Sequence, residues 1–438
     1  MSYLKDLKRI NDRYGMFHAM TSDTDDGGAK FLFSAKDNLT SKDMETCAGS
    51  RILEGYRPAF DATAIAKLRD AGGKLIGKTN MDEFGFGTFS ANSGFEIPLN
   101  PHDITRACGG SSGGSACAAS ALEGHVSLGV STGGSICCPA SFCGVYGIAP
   151  TYGRVSRYGL IDYGNSLDKI GVLSSDATDL RRYMDIIKGK DPKDPTSCVQ
   201  PDSYGKGKLE SVAVPKEGIE GLSKDVEAGF KAFAQEMERM GVQVDYVEMP
   251  SLKFAMPAYY ILATSEASTN LARYVGMRYG QQEGDLSLKF DDYFSSFRSK
   301  YFGDEAKRRI LLGTFTRMAG YSDRYYAKAR QVRDVVISDY KRVLADHDAV
   351  LAPTMPFVAP KFEDISKMSA LDSYKADYLT VPANLAGMPH MSLPSGYDPA
   401  GMPIGMQFVA DHWNEGVLFD IAERWQKEFE LKRPEVVA

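Results

Sequence analysis

Two glycine-rich serine clusters, Gly109-Gly110-Ser111-Ser112-Gly113-Gly114-Ser115 and Ser131-Thr132-Gly133-Gly134-Ser135, constrain this chain more than any other feature. Glycine lets a backbone turn sharply and approach a ligand closely, so each cluster reads as a turn presenting hydroxyls and N–H groups together, the latter suited to a developing oxyanion. A serine nucleophile needs a group to take its proton, and a desolvated lysine can do so without histidine. Ala35-Lys36-Asp37-Asn38 supplies a lysine upstream, behind a Phe31-Leu32-Phe33 run that reads as a buried strand. Ser111 follows Lys36 by 75 positions and Ser135 follows Ser111 by 24, and these three residues form the candidate catalytic set. Lysine ordinarily titrates near pH 10.4, so service as a base at neutral pH requires a depression of about three units, or about 4 kcal/mol against the charged form.

The combination of Gly-Gly-Ser-Ser-Gly-Gly-Ser, Thr-Gly-Gly-Ser and an upstream Lys-Asp-Asn resembles the amidase signature family. The resemblance implies that Ser135 is the acyl-forming nucleophile, Ser111 a bridging serine after a cis peptide bond, and Lys36 the ultimate base. It places the oxyanion hole at the N–H groups of Thr132, Gly133, Gly134 and Ser135. Further segments are similar to one branch of that family, the A subunits of the glutamyl/aspartyl-tRNA amidotransferases. These are Thr79-Asn80-Met81-Asp82-Glu83-Phe84-Gly85, the stretches 150–160 and 166–171, and later 265–274, 307–314 and 382–387. The similarity runs over roughly residues 31 to 430.

That branch implies a glutaminase of the glutaminyl-tRNA synthase (glutamine-hydrolysing) type, working in a heterotrimer with amidotransferase B and C subunits on misacylated Glu-tRNA(Gln), Asp-tRNA(Asn) or both. No cofactor is expected in this chain, and ATP and Mg²⁺ are expected on the partner. A free amino acid substrate needs a cation for its carboxylate and an anion for its ammonium. By resemblance Arg309 holds the first, Asp377 the second, and Tyr260 lines the pocket, with Arg308 and Tyr259 as neighbouring alternates. The alternative reading is a stand-alone amidase acting on small amides.

Three departures from the family stand out. The segment before Lys36 is shortened, Phe31-Leu32-Phe33-Ser34-Ala35 replaces a glycine- and proline-containing approach to the lysine, and Ser131 and Cys137 stand where Asp and Arg are common.

Over 438 residues no Pro/Ser-rich linker or long charge run appears, and the candidate site draws on both ends of the chain, so one amidase-signature domain is expected across 1–438. Apolar patterning alternates strands with helices. Asp61 is a candidate cap for a helix carrying Ile65 and Leu68 that ends at Gly72-Gly73, and Leu75-Ile76 begins a strand. A strand at 211–214, a helix through Val226, Phe230, Phe233, Met237 and Met240, a strand from Val242, then a helix over 324–348 and a strand at 349–352 continue the rhythm. The expected class is α/β, a mixed central sheet covered by helices on both faces. The stretch 188–208 reads as an exposed excursion.

A net charge of −6 argues against broad nucleic-acid binding by this chain alone, so tRNA contacts are expected mainly on a partner. No apolar run suits a leader or a membrane span, so a cytoplasmic protein is expected. Seven cysteines, an odd number at low density, suit a reducing compartment. Cys137, Cys138 and Cys143 lack a Cys-x-x-Cys partner set and read as small buried residues, and no metal site is assigned. The segment 72–79 satisfies the P-loop pattern, yet a helix precedes its glycines and the strand falls inside the motif, against the physics of that loop. Gly109 to Gly113 also fits a nucleophile elbow, which would need His347, His390 or His412 as its base.

Overall fold

The computed structural model describes residues 2–435 apart from 202 and 283. Among the described residues thirteen strands form: β1 (Phe17–Met20), β2 (Phe31–Lys36), β3 (Gly73–Thr79), β4 (Leu99–Asn100), β5 (Asp103–Ala107), β6 (Val126–Ser131), β7 (Tyr146–Ala149), β8 (Lys169–Ser174), β9 (Ser211–Pro215), β10 (Gln243–Val247), β11 (Ala349–Pro353), β12 (His390–Tyr397) and β13 (Pro403–Ala410). Eleven of them make one sheet in the order β1-β3-β2-β6-β8-β7-β12-β13-β11-β9-β10, and β4 and β5 pair separately. The sheet is mixed: β2 runs parallel to β3 and β6, whereas β6 and β7 each run antiparallel to β8.

Period-two alternation sets the faces. In β2, Phe31, Phe33 and Ala35 enter the core beneath the helices Thr63–Asp70 and Ala177–Ile187, while Leu32 joins the opposite core against the helix Gly113–Ala121. Ser34 and Lys36 follow Leu32 in phase, so the sheet delivers the lysine to the face carrying both glycine-rich turns. All six residues of β2 are buried. The helix Gly113–Ala121 is buried along its whole length, which its Gly, Ala, Ser and Cys side chains permit by letting it lie close on β6.

Several sequence expectations need correction. Asp61 does not cap the helix Thr63–Asp70, whose cap position is Ala62. Its carboxylate instead accepts the Lys42 N–H at 2.9 Å and lies 3.5 Å from Arg69 Nε. The helix expected over 324–348 is shorter, Tyr326–Leu344. The start of the 188–208 stretch is pinned down, because Asp191 accepts hydrogen bonds from Thr63 and Ser156 and is buried. A helix, Leu7–Tyr14, stands ahead of Lys36 and buries Leu7, Ile10 and Tyr14. In agreement with the reading against a P-loop, a helix precedes Gly72 and strand β3 begins at Gly73 inside the motif, where Lys78 is buried against Asp37, 3.4 Å away. No helix among the described residues is long and apolar enough to cross a membrane.

Candidate active site

Lys36 ends β2 and is about 1 % exposed. Its Nζ donates to Ser111 Oγ at 2.7 Å and to the Val130 carbonyl of the neighbouring strand at 3.0 Å. The Gly110–Ser111 peptide is cis. Ser112 anchors the same place from the other side: its hydroxyl donates to Val130 O at 3.1 Å and accepts from Val130 N at 3.3 Å. Burial holds the Lys36 ammonium down to about pH 7, with the nearby Asp82 and Asp168 carboxylates pulling partly the other way. Lys36 is therefore poised near the pH at which it can exchange a proton with a hydroxyl.

Ser135 lies on the turn between β6 and the helix Cys137–Cys143 and is 7 % exposed. Among the described residues no hydrogen bond joins it to Ser111, so the hydrogen-bonded pair is Lys36–Ser111. The N–H groups of Gly133, Gly134 and Ser135 have no backbone acceptor among the described residues. Neighbours hold the turn tightly. Asn384 Nδ2 donates to the Thr132 carbonyl, Thr132 Oγ1 donates to Asp168 at 2.6 Å, and Ser131 Oγ donates to Gly133 O at 3.0 Å. A Cβ at Gly134 would meet Thr380 Oγ1 at 2.2 Å, so only glycine fits there, and one at Gly133 would press on Tyr259 OH at 3.0 Å.

The residues expected to clamp an amino acid gather beside this turn. Arg309 is 3 % exposed and sits among Phe86, Tyr163, Tyr260 and Tyr374, its guanidinium 5.2 to 5.6 Å from their ring centres. Glu305 accepts from its Nε at 2.7 Å and the Tyr163 hydroxyl accepts from its Nη1 at 2.5 Å. Arg308, 46 % exposed, pairs with the other oxygen of the same Glu305, so one carboxylate holds a buried and an exposed arginine. Asp377 is buried; its Oδ2 accepts from Thr88 at 2.9 Å and from Tyr260 at 3.3 Å, while its Oδ1 has no partner. Burial raises this carboxyl to about pH 7, against the pull of Thr88, Arg309 and Tyr260. Both tyrosines are present, Tyr260 on Asp377 and Tyr259 against Gly133.

Sequence reasoning assigned no role to Asp82, Asp168, Tyr163, Glu305, Tyr374 or Thr88. Asp82 Oδ2 and Oδ1 accept the N–H groups of Ser90 and Asn92, each at 2.9 Å, and fix the loop packed on Gly110. The Thr-Asn-Met-Asp-Glu-Phe and Ser-Leu-Asp-Lys segments carried the signal for the two aspartates. The late histidines have other partners: His347 lies 3.1 Å from Asp245, His412 3.5 Å from Asp411 and His390 3.3 Å from Lys169. Cys137, Cys138 and Cys143 are fully buried.

A buried lysine bonded to one serine, with a second serine on a glycine-rich turn of the same mixed sheet, can in principle move a hydroxyl proton without histidine. The chain belongs to the amidase family, whose profile, described as Amidase, matches residues 31–419. It is similar to the A subunit of the Glutamyl-tRNA(Gln) amidotransferase of Archaeoglobus fulgidus, 45 % identical over 390 residues, covering 89 % of this chain and 84 % of that one. The A subunit of the same name from Halothermothrix orenii is 39 % identical, covering 98 % of this chain and 93 % of the relative. The crystal structure of the A subunit of Thermotoga maritima Glutamyl-tRNA(Gln) amidotransferase superposes with a TM-score of 0.85 at 34 % identity, covering 100 % of this chain and 95 % of that one.

Proposed function

We propose that this chain is the glutamine-hydrolysing component of a tRNA-dependent amidotransferase. The observation that carries the reading is the orphaned Asp377 Oδ1, buried in the same enclosure as the Arg309 guanidinium and beside the Ser135 turn. A carboxylate oxygen left bare in a buried site awaits a donor, and the α-ammonium of a free amino acid supplies one while Arg309 takes the α-carboxylate. The side-chain amide then reaches toward Ser135.

In the reaction Ser135 Oγ attacks the amide carbon of glutamine as its proton passes through Ser111 to neutral Lys36. The carbonyl oxygen takes up negative charge and is held by the unpaired N–H groups of the 132–135 turn. The C–N bond breaks as the proton returns to nitrogen, releasing ammonia and leaving a glutamyl ester on Ser135. Water attacks that ester by the same relay, yielding glutamate and free serine. The ammonia passes to a partner of the B type, which together with a C-type partner activates and amidates the misacylated tRNA. ATP and Mg²⁺ act there, and the whole assembly works in the cytoplasm.

The test is glutamine hydrolysis by the chain with and without co-expressed B and C subunits, together with transfer of the amide nitrogen to Glu-tRNA. Stable co-purification and transfer are expected. Efficient hydrolysis of simple aliphatic amides by the lone chain, with no complex formed, would instead identify a stand-alone amidase.

A further inference from the structure

We infer that His18, Glu45 and Cys47 form a binding site for a divalent transition-metal ion, with Zn²⁺ the best match to the donor set. One ligand atom from each residue lies within 4.8 Å of the others. Cys47 Sγ is 3.0 Å and His18 Nε2 3.9 Å from Glu45 Oε1. A tetrahedral ion with ordinary zinc bond lengths needs donor atoms about 3.3 to 3.7 Å apart, so small side-chain adjustments bring the three into range. His18 Nε2 is buried without a partner, which is costly for an imidazole nitrogen unless a ligand completes it. The ring leans on Phe95, centre to centre 4.1 Å, and this contact orients it.

The mix of imidazole, thiolate and carboxylate is the borderline set that suits Zn²⁺ and excludes Ca²⁺ or Mg²⁺, which take oxygen. Three protein ligands leave a fourth position for water. His18 and Glu45 line a cavity of about 730 Å³, and Cys47 lies behind Glu45, bonded to it and closed to solvent. The Gly55 N–H donates to Glu45 Oε1 at 2.6 Å and holds the carboxylate in place as an outer partner. On binding, the Cys47 S–H bond breaks, the proton goes to buffer and sulfur bonds the ion, so one proton leaves per ion taken up.

The site joins edge strand β1 to the loop after β2. Cys47 N–H donates to Asp37 Oδ2 at 3.0 Å, and Asp37 directly follows Lys36. A bound ion therefore braces the segment that carries the lysine, as a structural fastening with no part in bond breaking. No metal is legible in the sequence, because His18 is far from the Glu45-Thr46-Cys47 pair and only the β1–β3–β2 order of the sheet brings them together.

Titration of the metal-free full-length chain with Co²⁺ is the test. One equivalent should bind with a thiolate-to-metal band in the near ultraviolet, release one proton, and be displaced by Zn²⁺ with loss of colour. Cys47→Ser should abolish that band, and His18→Ala, on the edge strand where folding is least at risk, should weaken Co²⁺ binding about tenfold or more. Zn²⁺ should raise the Tm of the unaltered chain and not that of His18→Ala. An undiminished band in Cys47→Ser would place the thiolate elsewhere, among Cys108, Cys117 and Cys143, and would overturn the proposal. Unchanged affinity in His18→Ala, or no stoichiometric binding by the unaltered chain, would overturn it equally.

Discussion

Lys36 Nζ donates to Ser111 Oγ across 2.7 Å in a place closed to solvent, and the same nitrogen is tied to Val130 O. Both acceptors are neutral, so no carboxylate is bonded directly to the ammonium to balance its charge. Burial then dominates, and the neutral amine becomes accessible near pH 7.

Removing either end of this relay should separate hydrolysis from transfer. Ser135→Ala and Lys36→Ala are each expected to lower glutamine hydrolysis by roughly 10⁴-fold or more, since groups acting as a unit fail together. Amidation of misacylated tRNA by the assembled complex with added ammonia should persist. Equal loss with ammonia would mean that the replacements damage the complex.

The pH dependence follows from which form of Lys36 acts. Its folded pKa of about 7 lies below the ordinary lysine value, and the neutral form is the base, so the rate rises with pH and levels off above about 7. Asp377, raised to about 7, adds a second group to the glutamine profile, because its ionised form is the one that holds an ammonium. Fluorophosphonate labelling of Ser135 needs no amino-group contact and should follow Lys36 alone. A labelling rate that is flat between pH 5.5 and 8 would remove Lys36 from the role of base.

Specificity for a free amino acid should depend on Arg309 and not on its neighbour. Arg309→Ala gives up charge-assisted hydrogen bonds of about 1.5 to 3 kcal/mol and is expected to raise the glutamine KM roughly 10- to 100-fold. Asp377→Asn should do likewise, while Arg308→Ala, on the surface, stays within about twofold. Labelling of Ser135 by fluorophosphonate should be little affected in all three. An unchanged KM in Arg309→Ala would remove the clamp.

The candidates Lys36, Ser111 and Ser135 could be picked out because each sits in its own short motif, a strand end or a glycine-rich turn, and the family resemblance supplied the spacing that links them. Apart from Tyr260, which the resemblance put in the pocket, the box around Arg309 was not legible, because Phe86, Tyr163 and Tyr374 come from three separate segments, each reading as an ordinary half-buried aromatic. Asp82 and Asp168 act on Lys36 through burial and charge at a distance, which no spacing encodes. The strand order was equally hidden, since β2 pairs with β6 across a long connection and β12 returns to β7 from late in the chain. Asp61 misled for a local reason: aspartate before a helix is a common cap, but Lys42 and Arg69 claim this carboxylate.

The departure at Ser131 and Cys137 can be tested against Lys169. Ser131 pairs across the sheet with Lys169, so their side chains share a face about 5 Å apart at Cβ. Lys169 is buried, donates to Met388 O at 2.8 Å, and is held down to about pH 7 chiefly by burial, with Cys137 nearby. Cys137→Arg would set a second buried cation beside it and is expected to cost about 3 to 5 kcal/mol. Ser131→Asp breaks the hydroxyl bond to Gly133 O but gains a lysine opposite, so its cost should be smaller, about 1 kcal/mol. With both changes the aspartate stands between two cations, and part of the arginine's cost should be recovered. Thermal melts of the four variants form a double-mutant cycle that reads this coupling directly. Simple additivity would show that the two positions do not communicate and that the neutral turn is not a replacement for an ion pair.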